Sequence, residues 1–298
     1  MEYQLQHQQE TYLWLIKGAN QSLENYSVNG GIFLYIPYEE LEYIISESSN
    51  PSAGKFWLQI IFSQGIWGHN DRFLVYETYE NNEKSFLQPY NLFRLMRLFK
   101  SGGISSDIVL SYKFSDGSFT KIGHPYNVKY RQIVPYEEYT LNEDDKKTFL
   151  NWIDIYNGIF DKPKNNANFN RMLELYEMSY YSPYMEHAFL TLFAILELLV
   201  GAQSEITFQV SRGIALLLSN NENELETSFD EIKKLYNVRS KFVHNGSKVS
   251  YEDVRKLRFF VQKTIIKLFD MGANSSDYKF ENLRKKMKLG GYSAINTI

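Results

Sequence analysis

The chain has 298 residues, 44% of them hydrophobic and 22% charged, with a formal net charge of -3, a globular balance rather than a disordered one. At roughly 100–200 residues per domain, that length suggests about two domains. Cysteine is absent and histidine is limited to 5 residues, which excludes disulfide scaffolds, thiolate zinc sites and cysteine nucleophiles and argues against a histidine-rich metal centre.

In chain order, residues 31–36, 55–62 and 72–76 are rich in β-branched and aromatic side chains and are bounded by Gly, Asn, Ser or Pro, the signature of strands. Residues 89–99 have helical spacing and stop at Gly102 and Gly103. Residues 107–114 and 119–122 flank the pair Asp116-Gly117, a hairpin signal. From about residue 141 the apolar period becomes 3.6, opening on Asn142 and three acids in a first turn, where the helix dipole favours them. Helices are predicted near 143–160, 166–180, 184–200, 205–219, 227–243 and 250–271.

The predicted class is therefore α+β. A mixed α/β domain with antiparallel strands spans 1–140, an all-helical bundle 141–275, and a basic tail 276–298. The first residues carry neither a basic segment nor an apolar run, so no secretory signal is expected. The strongest apolar run, 188–200, contains Thr191 and Glu197 and is too short to span a bilayer. A cytoplasmic protein without membrane contact is the expectation.

Charge is distributed unevenly. Residues 231–298 hold 15 Lys+Arg against 6 Asp+Glu, a net of +9, which leaves -12 for residues 1–230. Such asymmetry is what a polyanion-binding face produces; a solvated helix face with a basic tail at Arg284, Lys285 and Lys286 produces it too.

Within the basic block, Arg239 and His244 stand five apart near the end of a predicted helix that stops at Asn245 and Gly246. Histidine exchanges protons near neutrality, and arginine offers a planar fork of donors to a phosphate. Together they suit cleavage of a phosphodiester by its own 2′-hydroxyl. On one helix, positions five apart lie about 140° out of phase, so the two converge only if the helix ends between them, or if a two-fold dimer composes a cleft from two copies. The alternative is that both merely cap the helix C-terminus.

Residues 187–248 resemble the HEPN superfamily, and within it the Apea-like branch. The resemblance is carried by 193–199 (FAILELL), 208–218 (FQVSRGIALLL) and 239–244 (RSKFVH), in the family's order and with its R-x4-6-H form. A looser likeness extends to 95–103. The resemblance implies a helical bundle that dimerises through the motif helix, and metal-independent endoribonuclease activity of the kind used in phage defence and toxin–antitoxin systems. RNA would be the substrate, and an antitoxin or other defence protein a partner. Arg239 would bind the scissile phosphate and His244 would be the acid/base. Ser240 stands where active members commonly have Asn, Asp or His, and Asn245 stands where Gly usually follows the His directly. Some relatives are non-catalytic RNA-binding or dimerisation modules, which is the alternative reading.

Glu197 has apolar or small helical neighbours, so its carboxylate requires a cation; Arg212 and Arg239 are the candidates, and an ion pair locking two helices is the structural reading. Lys241, Lys248, Arg255 and Arg258 are candidates for RNA contact. His187 is read as a core or interface residue, and His69 and His124 as loop residues. No Walker loop, G-x-G-x-x-G, G-x-S-x-G or H-E-x-x-H occurs, so no cofactor and no metal is expected.

Overall fold

A computed structural model describes residues 7–48, 51–63, 72–79, 89–116, 118–127, 137–160 and 166–289. The chain divides into two compact units, Met1–Asn157 and Gly158–Ile298. Among the described residues, no helix is long and apolar enough to cross a membrane. The α+β class holds among the described residues: an antiparallel sheet with helices in the first unit, and helices in the second.

Among the described residues, the first unit is built on six antiparallel strands: β1 (His7–Lys17), β2 (Ser27–Val28), β3 (Gly31–Pro37), β4 (Arg72–Tyr79), β5 (Ser105–Ser115) and β6 (Ser118–Asn127), in the order β2-β3-β4-β1-β5-β6. Both faces are covered, and β4 and β5 are accordingly buried along most of their length. On one face Leu13, Leu15, Phe73, Val75, Ile108 and Leu110 meet Leu41, Ile44 and Ile45 of α1 (Tyr38–Ser48) and Ile61 of α2 (Pro51–Ser63). On the other face, Phe93 of α3 (Pro89–Phe99) packs against Trp14, Phe33 and Tyr76, with ring centroids 6.5, 6.5 and 5.9 Å away. Leu13 and Trp14 thus point to opposite faces, as strand alternation requires.

Strands were expected at 31–36 and 72–76, a helix at 89–99, and a hairpin at 107–122; β3, β4, α3 and the β5–β6 pair occupy them. Residues 55–62 are not a strand. They lie in α2, where Ile61 is buried and Trp57, Leu58 and Ile60 lean on the same core. A short apolar run does not distinguish the two periods. His124 belongs to β6 rather than to a loop, while His69 lies outside the described residues.

The unit boundary falls after Asn157 rather than near 140, so α4 (Glu143–Tyr156) belongs with the sheet. Phe99 meets Phe149 and Trp152 at 5.1 and 5.5 Å, Lys100 pairs with Asp145 at 2.6 Å, and the Tyr26 hydroxyl donates to the Lys146 carbonyl at 3.0 Å. Packing onto α3 outweighs the change of sequence period that marks where α4 begins.

The second unit contains α5 (Ala167–Tyr181), α6 (Met185–Val200), α7 (Ile206–Leu218), α8 (Glu222–Asn245), α9 (Tyr251–Asp270) and α10 (Phe280–Leu289). The first five correspond in order to the predicted helices, with α8 beginning at Glu222 rather than near 227. The N-termini of α5, α8 and α9 are capped: Asn166 accepts from Phe169 N, Asn221 from Glu224 N, and Ser250 with Asp253 forms a capping box. The most apolar helix, α6, is central and contacts α5, α7, α8, α9 and α10. The basic segment after residue 275 is not simply a solvated tail. Phe280, Leu283 and Met287 recur at helical spacing and are buried, which seats α10 against α6 and α7.

Candidate functional site

Tyr236, Arg239 and Glu197 meet where α8 crosses α6. Glu197 faces α8 because Phe193, one turn earlier on α6, packs edge-on against the Tyr236 ring at 5.1 Å. The Tyr236 hydroxyl donates to Glu197 Oε1 at 2.8 Å, and Arg239 Nη2 stands 3.5 Å from the same oxygen. Spacing of i and i+3 on α8 also brings the Arg239 guanidinium over the Tyr236 ring, 5.4 Å from its centroid. Burial, and then the hydrogen bond to Glu197, pushes the Tyr236 phenol up to about 12, so it stays a donor.

Arg239 is therefore the cation that Glu197 requires. Arg212 instead donates Nη1 to the carbonyls of Met287 and Lys288 in α10. Glu197 and Arg239 are only partly enclosed, with side chains 30% and 28% exposed. The Arg239 Nε is buried without a hydrogen-bond partner among the described residues, a donor still available to an acceptor that reaches it.

The helix does not end between Arg239 and His244. It runs through Asn245 and stops at Gly246, whose φ of +65° is the left-handed stop that glycine favours. The two side chains keep their phase difference of about 140° and a rise of about 7.5 Å, and one chain alone does not bring them together. His244 and Asn245 are exposed, and Ser240 is half-buried. The last turns of α8 lie open, with Val243 48% exposed.

The other basic candidates separate by location. Lys241 and Lys248 are exposed. Arg255 is at the surface and holds Glu252 through two contacts of 2.8 and 3.0 Å. Arg258 is 2% exposed, with its guanidinium 4.2 Å above the Tyr180 ring. It is a core residue and does not present its charge to RNA, because its place on the inner face of α9 outweighs the basic run around it. His187 is exposed rather than in the core, with its ring against Tyr184 at 5.3 Å.

Tyr236 was not picked out from the sequence. The available signal was its i, i+3 relation to Arg239, which places a phenol on the same stripe as the guanidinium. Among the described residues, no three His, Asp or Glu side chains group as metal ligands. Compared with protein-family models, with curated proteins and with solved structures, the chain gives no match.

Proposed function

We propose that the chain is a metal-independent endoribonuclease of the HEPN type, acting in the cytoplasm as a homodimer, in phage defence or a toxin–antitoxin pair. The observation that carries this reading is the Glu197–Tyr236–Arg239 arrangement. It holds a partly desolvated guanidinium, with one buried donor uncommitted, on the helix whose last turn carries an exposed histidine.

Two copies joined about a two-fold axis along the open end of α8 place two Arg239 and two His244 in one cleft. There one His244 takes the proton of a 2′-hydroxyl as its oxygen attacks the adjacent phosphorus. The partner subunit's His244 gives a proton to the departing 5′-oxygen. Arg239 holds the non-bridging oxygens, whose negative charge grows in the transition state. The products are a 2′,3′-cyclic phosphate and a 5′-hydroxyl.

A second reading is a non-catalytic RNA-binding or dimerisation module. Ser240 and Asn245, which depart from the family pattern, favour it. The test is RNA cleavage in EDTA by wild type, His244→Ala and Arg239→Ala, with the oligomeric state of each followed by analytical ultracentrifugation. Cleavage lost in both variants, with dimerisation retained, is the expected result. Equal cleavage by all three proteins, or a wild type that is monomeric at micromolar concentration, contradicts the composite site.

A further inference from the structure

A cavity of about 550 Å³ lies between the start of α7 and α10, within the size range of small-ligand sites. Its wall includes Arg212, Arg284, Lys285 and Lys288 against one carboxylate, Glu205, a formal excess of +3. It is distinct from the Arg239–His244 region, neither residue of which lines it.

The two arginines are fixed parts of this wall. Arg284 donates Nε to the Leu199 carbonyl at 3.0 Å and Nη2 to the Leu198 carbonyl at 2.7 Å, closing the C-terminus of α6. Gly201, at φ +65°, leaves room for it; a Cβ there would stand 2.9 Å from Arg284 Nε. Arg212 is tied in turn to the Met287 carbonyl. Lys285 and Lys288 differ: they lie three apart on one face of α10, are exposed, and have no carboxylate partner among the described residues. Across the cavity α7 follows its N-cap residue Glu205, which is held at φ +46° and makes no side-chain cap, so the first-turn N–H groups of α7 add positive potential to the same space. Phe208, 52% exposed, provides an apolar wall.

We propose, independently of the cleavage reading, that this cavity binds a terminal phosphoryl group, with Lys285 and Lys288 as its mobile cations. Glu281, 3.8 Å from Arg284 Nη1, offsets one of these charges; the remaining excess of +2 still matches a phosphate monoester dianion or a pyrophosphate better than the single charge of an internal phosphodiester. The same group arrives on a small phosphorylated molecule or on the 5′ end of an RNA, and the experiment separates these sources.

Titration calorimetry on the full chain, with pyrophosphate in buffers matched for ionic strength by sodium chloride, measures the site. The comparison is Lys285→Glu/Lys288→Glu against Lys234→Glu/Lys263→Glu, which makes the same charge change at exposed lysines outside the cavity. Binding weakened about tenfold or more in the first variant, and unchanged in the second, is the expected result. Competition by a short 5′-phosphorylated RNA, but not by its 5′-hydroxyl form, assigns the site to RNA ends; competition by neither form assigns it to small molecules. Absence of pyrophosphate binding, or equal loss in both variants, overturns the site.

Discussion

Glu197 accepts the Tyr236 hydroxyl on the same oxygen that faces Arg239, at 2.8 and 3.5 Å respectively. A phenol and a guanidinium thus share one acceptor, and the phenol fixes where that oxygen lies. Tyr236→Phe keeps the ring against Phe193 and removes only the donor. The expected loss is about 1.5–3 kcal/mol of stability, the range for a hydrogen bond to a charged group, read by urea denaturation. RNA cleavage should fall while dimerisation is unchanged. Arg239→Lys should not restore what Arg239→Ala loses, because an ammonium lacks the planar fork.

The same phenol gives a pH signature. Its native pKa is raised to about 12 by burial and by Glu197, against an unfolded value of about 10. A raised acid contributes stability in full below its unfolded pKa and loses it as pH climbs through the native one. Wild type should therefore lose stability relative to Tyr236→Phe between about pH 10 and 12, with the difference constant from about pH 7 to 10. Denaturation midpoints of the two proteins across that window check the sign.

In the first unit, Lys17 and Asp107 form an ion pair with side chains 5% and 4% exposed. Burial raises the Asp107 pKa, while Lys17 and then Arg97 lower it. The net shift is upward, burial outweighing the two cations. Asp107→Ala leaves a buried ammonium without its counter-charge and should cost about 3–5 kcal/mol. Lys17→Met with Asp107→Leu, which removes both charges, should cost much less than the single change. Urea denaturation of the two variants decides between a load on the fold and an indispensable pair.

The helix α10 makes a further expectation. Leu283 is 3% exposed, and Leu283→Ala should cost about 2–5 kcal/mol. A chain ending at residue 275 should unfold at a lower temperature than the full chain. Identical thermal unfolding of the two would return this segment to a solvated tail.

What could be read beforehand followed the strength of each local signal. α5 to α9 stand out because each combines a 3.6 period with a capping residue or a break, and the demand of Glu197 for a cation follows from its apolar neighbours. The strand β1, central to the sheet, lacks Gly or Pro punctuation at its start and is set by pairing with β4 and β5, which are distant in sequence. The α2 run carries β-type residues, yet its helix is chosen by a tertiary surface, the sheet face that Ile61 fills. α10 is concealed by its lysines, because only three of its ten residues face inward. Tyr236 is one of 23 tyrosines, and nothing but its position relative to Arg239 distinguishes it.

The proposed proton exchange of His244 with a 2′-hydroxyl and a 5′-oxygen is tested most directly by end-group analysis of RNA fragments. Wild type in EDTA should release fragments with 2′,3′-cyclic phosphate and 5′-hydroxyl ends, and His244→Ala should release none. Fragments with 5′-phosphate ends, or the same fragments from both proteins, would contradict it.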